Sequence, residues 1–192
     1  MLELVFCTNN DHKIKEVSQI MGPQFSFLRL KDVQFFDDIP EPFETLEKNS
    51  LEKAQVVHNF SGKNCFAEDT GLFVEAIDGE PGVYSARYAG EPTNSEKNIE
   101  KVLEKLASKT NRNAYFKTII TLIINGEIKQ FEGICRGTIA MQKQGTDGFG
   151  YDPIFIAEGY TKSFAEIAAD EKNEISHRKK AFDKFSAYLS EL

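Results

Sequence analysis

The sequence predicts an α/β fold, and three observations carry that prediction. An apolar stretch, LELVFC at residues 2–7, runs through a polar turn into a segment with Ile14, Val17, Ile20 and Met21 at helical spacing. Residues 65–77 alternate apolar positions in the manner of strands. Two β-rich segments, residues 114–124 and 127–141, flank Asn125-Gly126, a strong hairpin signal.

Residues 2–7 are the first strand, and the helix that follows carries its polar turn, TNNDHK, at the strand's C-terminal end, where ligands gather in α/β folds. Residues 25–30 are a second short strand. Residues 33–43, acidic and containing Pro40 and Pro42, form a loop. Residues 45–60 form a helix with an apolar stripe of Leu46, Leu51, Ala54 and Val57. Residues 65–77 read as strand, turn, strand, with the turn at Thr70-Gly71, and Gly79, Pro81 and Gly82 punctuate a tight loop. Residues 94–106 form a helix that buries Ile99, Val102, Leu103 and Leu106. After the hairpin comes a glycine loop, QGTDGFGY at residues 144–151. One final helix, residues 170–189, places Ile175, Phe182, Phe185 and Leu189 on its core face.

The chain has 192 residues, 41% of them hydrophobic, enough for a well-filled core. A net charge of −7 opposes a bulk nucleic-acid or membrane-surface partner, which would need a basic face. A small phosphate ligand needs only local cations, a metal and backbone N–H groups. No apolar run is long enough to span a membrane. The opening MLELVFCTNN lacks a basic leader pattern, so no signal peptide is expected. Cys7, Cys65 and Cys135 form no CxxC, which favours a reducing, cytoplasmic setting, and His12, His58 and His177 have no zinc spacing.

Chemistry is densest at residues 65–90, CFAEDTGLFVEAIDGEPGVYSARYAG. Glu68 and Asp69 are adjacent acids that desolvation would penalise unless they meet a metal, a cation or several donors. At the first turn, Asn10 or Asp11 with Lys13 fits either an ordinary N-cap or an anion site built on helix N–H groups. Glu41, Glu44, Glu47 and Asn49 sit just before the second helix or in its first turns, and the acids among them either favour its dipole or supply one or two ligands to a metal shared with Asp69. Phe149 and Tyr151 on the glycine loop fit either a β-turn or a stacking platform for a base. Lys172, Ser176, His177 and Arg178 lie in the first two turns of the last helix, where cations oppose its dipole, which points to function. No nucleophilic Ser–His or Cys–His arrangement is evident, which favours direct attack by water.

Four segments, CTNNDHK (7–13), AEDTGLFVEAIDGEPGVYSARYAG (67–90), GFGYDPIF (148–155) and EKNEISHR (171–178), occur in the order found in the inosine-triphosphate pyrophosphatase family, which this sequence resembles from residue 2 to about residue 190. The resemblance implies an elongated α/β fold, with a long mixed sheet, flanking helices and two lobes around a central cleft, as a single domain over residues 1–192. It implies a magnesium-dependent enzyme, usually a homodimer, that hydrolyses deaminated purine nucleoside triphosphates to monophosphate and pyrophosphate. Residue by residue, Thr8, Asn10 and Lys13 match the family's phosphate-gripping turn, and Asn9, Asp11 and His12 lie with them in its substrate-binding segment. Asp69 matches the catalytic carboxylate, Thr70 the hydroxyl beside it, and Glu41 with Asp69 the magnesium site. Phe149, Gly150, Tyr151 and Asp152 match the base loop, and Lys172, His177 and Arg178 the C-terminal nucleotide contacts. Arg178 offers only donors, so pairing with the C6 oxygen of a deaminated purine is expected of it. Three departures stand out, the first being His12, which sits where small residues are common in the phosphate turn. Asn9 occupies a position where glycine is common, and Asn tolerates a left-handed φ. Glu68-Asp69-Thr70 replaces the frequent Asp-Asp-Ser. A house-cleaning pyrophosphatase with another base preference and a nucleotide-sensing module are the alternatives.

Overall fold

The structure is a computed structural model that describes residues 3–23 and 25–192. Its elements in chain order are β1 (Val5–Phe6), α1 (Asp11–Met21), α2 (Leu46–Ser61), β2 (Cys65–Val74), β3 (Pro81–Gly82), α3 (Ser95–Lys105), β4 (Asn113–Ile124), β5 (Glu127–Ile139), β6 (Phe155–Ala157), α4 (Ala169–Ile175) and α5 (His177–Ser190). The sheet is mixed, in the order β1-β2-β4-β5-β6, with β3 paired to β2. The fold is thus the mixed α/β architecture the sequence predicts. Its chain divides into two compact units, one of residues up to Asp69, 118–133 and 178–192, the other of 70–117 and 134–177.

In the first unit β1 runs parallel to β2, with Val5 opposite Cys65 and Phe6 opposite Phe66. Both strands are buried on two faces, which explains their unbroken apolar runs. Period-two alternation sends Leu4, Phe6 and Phe66 to one core, with Val17 of α1 and Phe182 and Phe185 of α5. It sends Val5, Cys7, Cys65 and Ala67 to another, with Ala54 and Val57 of α2. The first core is largely phenylalanine. Phe6 and Phe66 stack with centroids 4.5 Å apart, and Phe182 meets Phe66 edge-on at 6.0 Å. Three helices start on side-chain caps in which Asn10, Thr45 and Asn94 accept from the backbone N–H groups of Lys13, Lys48 and Lys97.

In the second unit β2 pairs antiparallel with β3, Leu72 opposite Gly82, and β5 pairs antiparallel with β6, Ile139 opposite Phe155. One core fills it, with Leu72 and Val74 of β2, Ile99 and Val102 of α3, Phe116, Phe155 and Phe164.

Four expectations need correction. Residues 65–77 are not strand, turn, strand: β2 is continuous through Thr70-Gly71 to Val74, and a short 3-10 turn follows at Glu75–Ile77. Gly71 serves the approach of β3, since a Cβ there would lie 2.5 Å from the carbonyl oxygen of Gly82. The strand expected over 25–30 reduces to one parallel bridge, Val5 to Leu28. The first strand is shorter than expected, and its Leu2 lies outside the described residues. The single C-terminal helix is two. Ser176 closes α4 by donating its N–H to the Lys172 carbonyl, then turns extended at ψ 157 before α5 begins. The apolar stripe is shared accordingly, with Ile175 against the second unit's core and Phe182 and Phe185 inside the first unit's.

Candidate active site

The alternation that builds β2 also divides its two acids. Glu68 follows Phe66 and faces α1 and α5, whereas Asp69 follows Ala67 and faces α2. Glu68, 2% exposed, meets Arg178 of α5, which donates from Nε at 2.9 Å and Nη2 at 3.1 Å. Lys13 of α1 approaches the same carboxylate at 3.3 Å, and Glu16, one turn further along α1, takes the Nη1 of Arg178. Burial works to raise the Glu68 pKa, but the Arg178 and Lys13 charges prevail and hold it down to about 2. Arg178 is itself 2% exposed, so its unfavourable place at the start of α5 is answered by two carboxylates.

On the other face, Lys53 of α2 donates from Nζ to Asp69 Oδ1 at 2.9 Å and to Glu41 Oε1 at 2.6 Å. Asp69 is 5% exposed, and its Oδ2 is a buried atom with no hydrogen-bond partner among the described residues. Burial pushes its pKa up, the Glu41 charge adds to this, and Lys53 and Lys13 oppose it. Burial alone would depress the Lys53 pKa; Asp69 and Glu41 turn the shift upward.

These residues fit a divalent cation of the magnesium kind. Asp69 Oδ2 is a hard oxygen with unused lone pairs, and the Glu41 side chain is 26% exposed. Two carboxylates plus substrate oxygens are the usual magnesium ligands. Among the described residues no three His, Cys, Asp or Glu side chains form a set that could hold a metal by themselves.

The turn before α1 is ordered by its own side chains. Thr8 Oγ1 accepts from the Asn10 N–H at 3.2 Å, and Asn10 Oδ1 from the Lys13 N–H at 3.1 Å. Asn9, Asn10, Asp11 and His12 are exposed, and Thr8 and Lys13 are half-buried. Asp11 pairs with Arg29 at 2.5 Å. Asn9 is not among the residues at positive φ, so the turn does not require the glycine conformation anticipated there.

In the second unit the glycine loop is pinned from within. Asp152 is 3% exposed, and its Oδ2 accepts from the Phe149 N–H at 2.9 Å and from Lys172 Nζ at 2.7 Å. The Lys172 ammonium lies 5.1 Å from the Phe149 ring centroid and 5.6 Å from that of Phe164. Phe149 and Gly150 are half-buried. Tyr151 is not a second stacking ring. It is 5% exposed within the core, its hydroxyl donates to the Ser85 carbonyl at 2.8 Å, and burial raises its pKa. His177, 3% exposed, stacks on Phe116 at 4.6 Å. Thr70 is half-buried on β2.

The structure therefore brings Asp69 to Glu41, Lys13 to Arg178, and Phe149 to Asp152 and Lys172. Three donors of Arg178 are committed to Glu68 and Glu16, so the base-edge contact expected of it gains no support from its geometry. Two participants escaped the sequence reading. Lys53 carried a signal, since it lies seven residues after Leu46 and four before Val57, on the stripe α2 buries. Glu16 carried one too, at i+3 from Lys13.

The architecture and these buried charge clusters define a mixed-sheet α/β protein that keeps ion pairs inside both of its units. A model of the Ham1 family matches residues 4–188. The chain belongs to the Ham1 family. It is 47% identical to the dITP/XTP pyrophosphatase of Christiangramia forsetii over 98% of this chain and 100% of that one. It is 49% identical to the protein of the same name from Flavobacterium johnsoniae, over 94% of each. Among solved structures, the Ham1 protein of Staphylococcus aureus matches with a TM-score of 0.89 at 39% identity, over 98% of each chain. The HAM1 protein of Coxiella burnetii matches with 0.91 at 34% identity over the full length of both.

Proposed function

We propose that this protein hydrolyses deaminated purine nucleoside triphosphates, ITP, dITP and XTP, to the nucleoside monophosphate and pyrophosphate, with magnesium. The names of its relatives support the substrate class. The observation that carries the chemistry is Asp69, a buried carboxylate with one oxygen held by Lys53 and the other without a donor.

In the first unit, Lys13 and the N–H groups at the start of α1 offer positive charge to the phosphates. Asp69 Oδ2, the unpartnered oxygen, either accepts the proton of the attacking water, for which its raised pKa suits it, or holds the metal that activates that water. Glu41 and Asp69 would hold the magnesium ion, which supplies Lewis acidity toward the phosphate oxygens. In the second unit, Phe149 offers a ring to a purine, held in place by the Asp152–Lys172 pair.

Two further readings rest on the same footing. A homodimer is the assembly the family resemblance implies, and light scattering on the purified protein measures it. A cytoplasmic setting agrees with three buried cysteines that form no disulfide. Among the described residues no helix is long and apolar enough to cross a membrane.

Initial rates on ITP, XTP, dITP, GTP and ATP with magnesium, with pyrophosphate and phosphate measured separately, test the proposal. Pyrophosphate and monophosphate in equal amounts from ITP are expected. Inorganic phosphate with a diphosphate product would overturn it.

A further inference from the structure

Lys53 holds the place that a metal ligand set would leave for a cation. Its ammonium, on a residue only 6% exposed, touches Glu41 at 2.6 Å and Asp69 at 2.9 Å. One of the two carboxylate charges is thereby already compensated. The third acid of the neighbourhood cannot replace it, because alternation along β2 turns Glu68 to the opposite face, where Arg178 and Lys13 hold it. With Lys53 in contact, Glu41 and Asp69 carry at most one net negative charge between them, and no larger acidic set exists among the described residues. Magnesium gives up its water reluctantly and is commonly held by one or two carboxylates together with substrate phosphates.

We propose that Lys53 is the resident counter-cation of the Glu41–Asp69 pair, so that the pair accepts a divalent cation only when the cation arrives with the phosphates of the substrate. The inference rests on the magnesium-dependent reading above. It makes Lys53 a positioning residue: it keeps the buried Asp69 and the half-buried Glu41 together in the free protein without closing them around a metal. Charge sets the order of binding. A metal alone would enter against the Lys53 ammonium, whereas a metal carrying a triphosphate brings negative charge that the ammonium attracts.

The test uses Mn2+ as a spectroscopic probe and reads free Mn2+ by electron paramagnetic resonance. Without nucleotide, wild-type protein should retain Mn2+ weakly, and Lys53→Met should retain it at least ~10-fold more tightly, because one nearby positive charge is gone. Magnesium alone should raise the melting temperature of Lys53→Met by taking the place of the ammonium beside Glu41 and Asp69, and leave that of wild type unchanged. Equal Mn2+ affinity in wild type and variant overturns the proposal. Should Lys53→Met fail to fold, Lys53→Gln gives the same comparison with a polar side chain of similar reach. Wild type alone supplies a third reading. Adding the α,β-methylene analogue of ITP should deplete free Mn2+ beyond the sum of what analogue and protein bind separately, and full retention before the analogue is added overturns the proposal. The comparison of variants uses no nucleotide, so it is independent of pyrophosphate release from ITP, on which the functional proposal stands.

Discussion

Arg178 donates through Nε and Nη2 to both oxygens of Glu68, a bidentate pair in which each side chain is at most 2% exposed. Glu16 takes its third donor group and Lys13 flanks the carboxylate. Four charges of alternating sign thus tie α1, β2 and α5 together within one unit. Truncating one partner of a buried pair strands the other, at a cost of about 3 kcal/mol. Arg178→Ala should lower the urea midpoint accordingly. It should also slow ITP and ATP by the same factor, because its effect passes through Glu68 and Lys13 to the phosphates. Loss confined to ITP would show that the guanidinium reads the base.

Three helices and the hairpin were legible because they depend on local signals. Helical spacing gave α1, α2 and α3, and Asn125-Gly126 gave the β4–β5 hairpin, with both residues at positive φ. The pairing of charges was harder to read. Glu68 and Asp69 are neighbours in sequence and opposite in space, and only a strand running unbroken through Gly71 makes that evident. Gly71 read as a turn because the partner that needs it, the Gly82 carbonyl, lies eleven residues away. The burial of Tyr151 was not legible because its partner, the Ser85 carbonyl, lies 66 positions upstream. The break at Ser176 involves neither Gly nor Pro, so no local breaker announced it.

Asp69→Asn keeps the shape of the side chain and removes its charge and basicity. We expect kcat to fall at least ~10²-fold, with KM changed much less. Glu68→Gln should act differently, lowering stability more than its share of kcat. Near-normal turnover by Asp69→Asn would exclude Asp69 as the base.

The glycine loop offers a paired comparison. A Cβ on Gly148, at φ +77, would lie 2.1 Å from Asp152 Oδ2, the atom that accepts from Phe149 and Lys172. A Cβ on Gly150, at φ +61, meets nothing within 4 Å. Gly150→Ala should carry only the left-handed penalty of about 1–2 kcal/mol. Gly148→Ala should lose more stability and raise KM for every purine alike, as Asp152 is forced off its partners. Melting curves and KM values for ITP and ATP measure both effects. Equal behaviour of the two variants would mean that Asp152 does not set the loop.

Acid stability reports on Glu68. Its folded pKa, about 2, lies below the ordinary 4.5, so its contribution is full above 4.5 and disappears as pH falls through about 2. Asp69 works in the other direction. Its folded pKa is raised, so its contribution is greatest below the ordinary 3.8 and declines as pH rises through the folded value. Wild type alone therefore mixes two slopes of opposite sign, and the useful quantity is the difference between wild type and Glu68→Gln. We expect the urea midpoint of wild type to drop more steeply than that of Glu68→Gln between pH ~5 and ~2, with the gap between them closing toward the acid end. Superimposable pH profiles would mean that Glu68 carries no ionised pair with Arg178 in the folded protein.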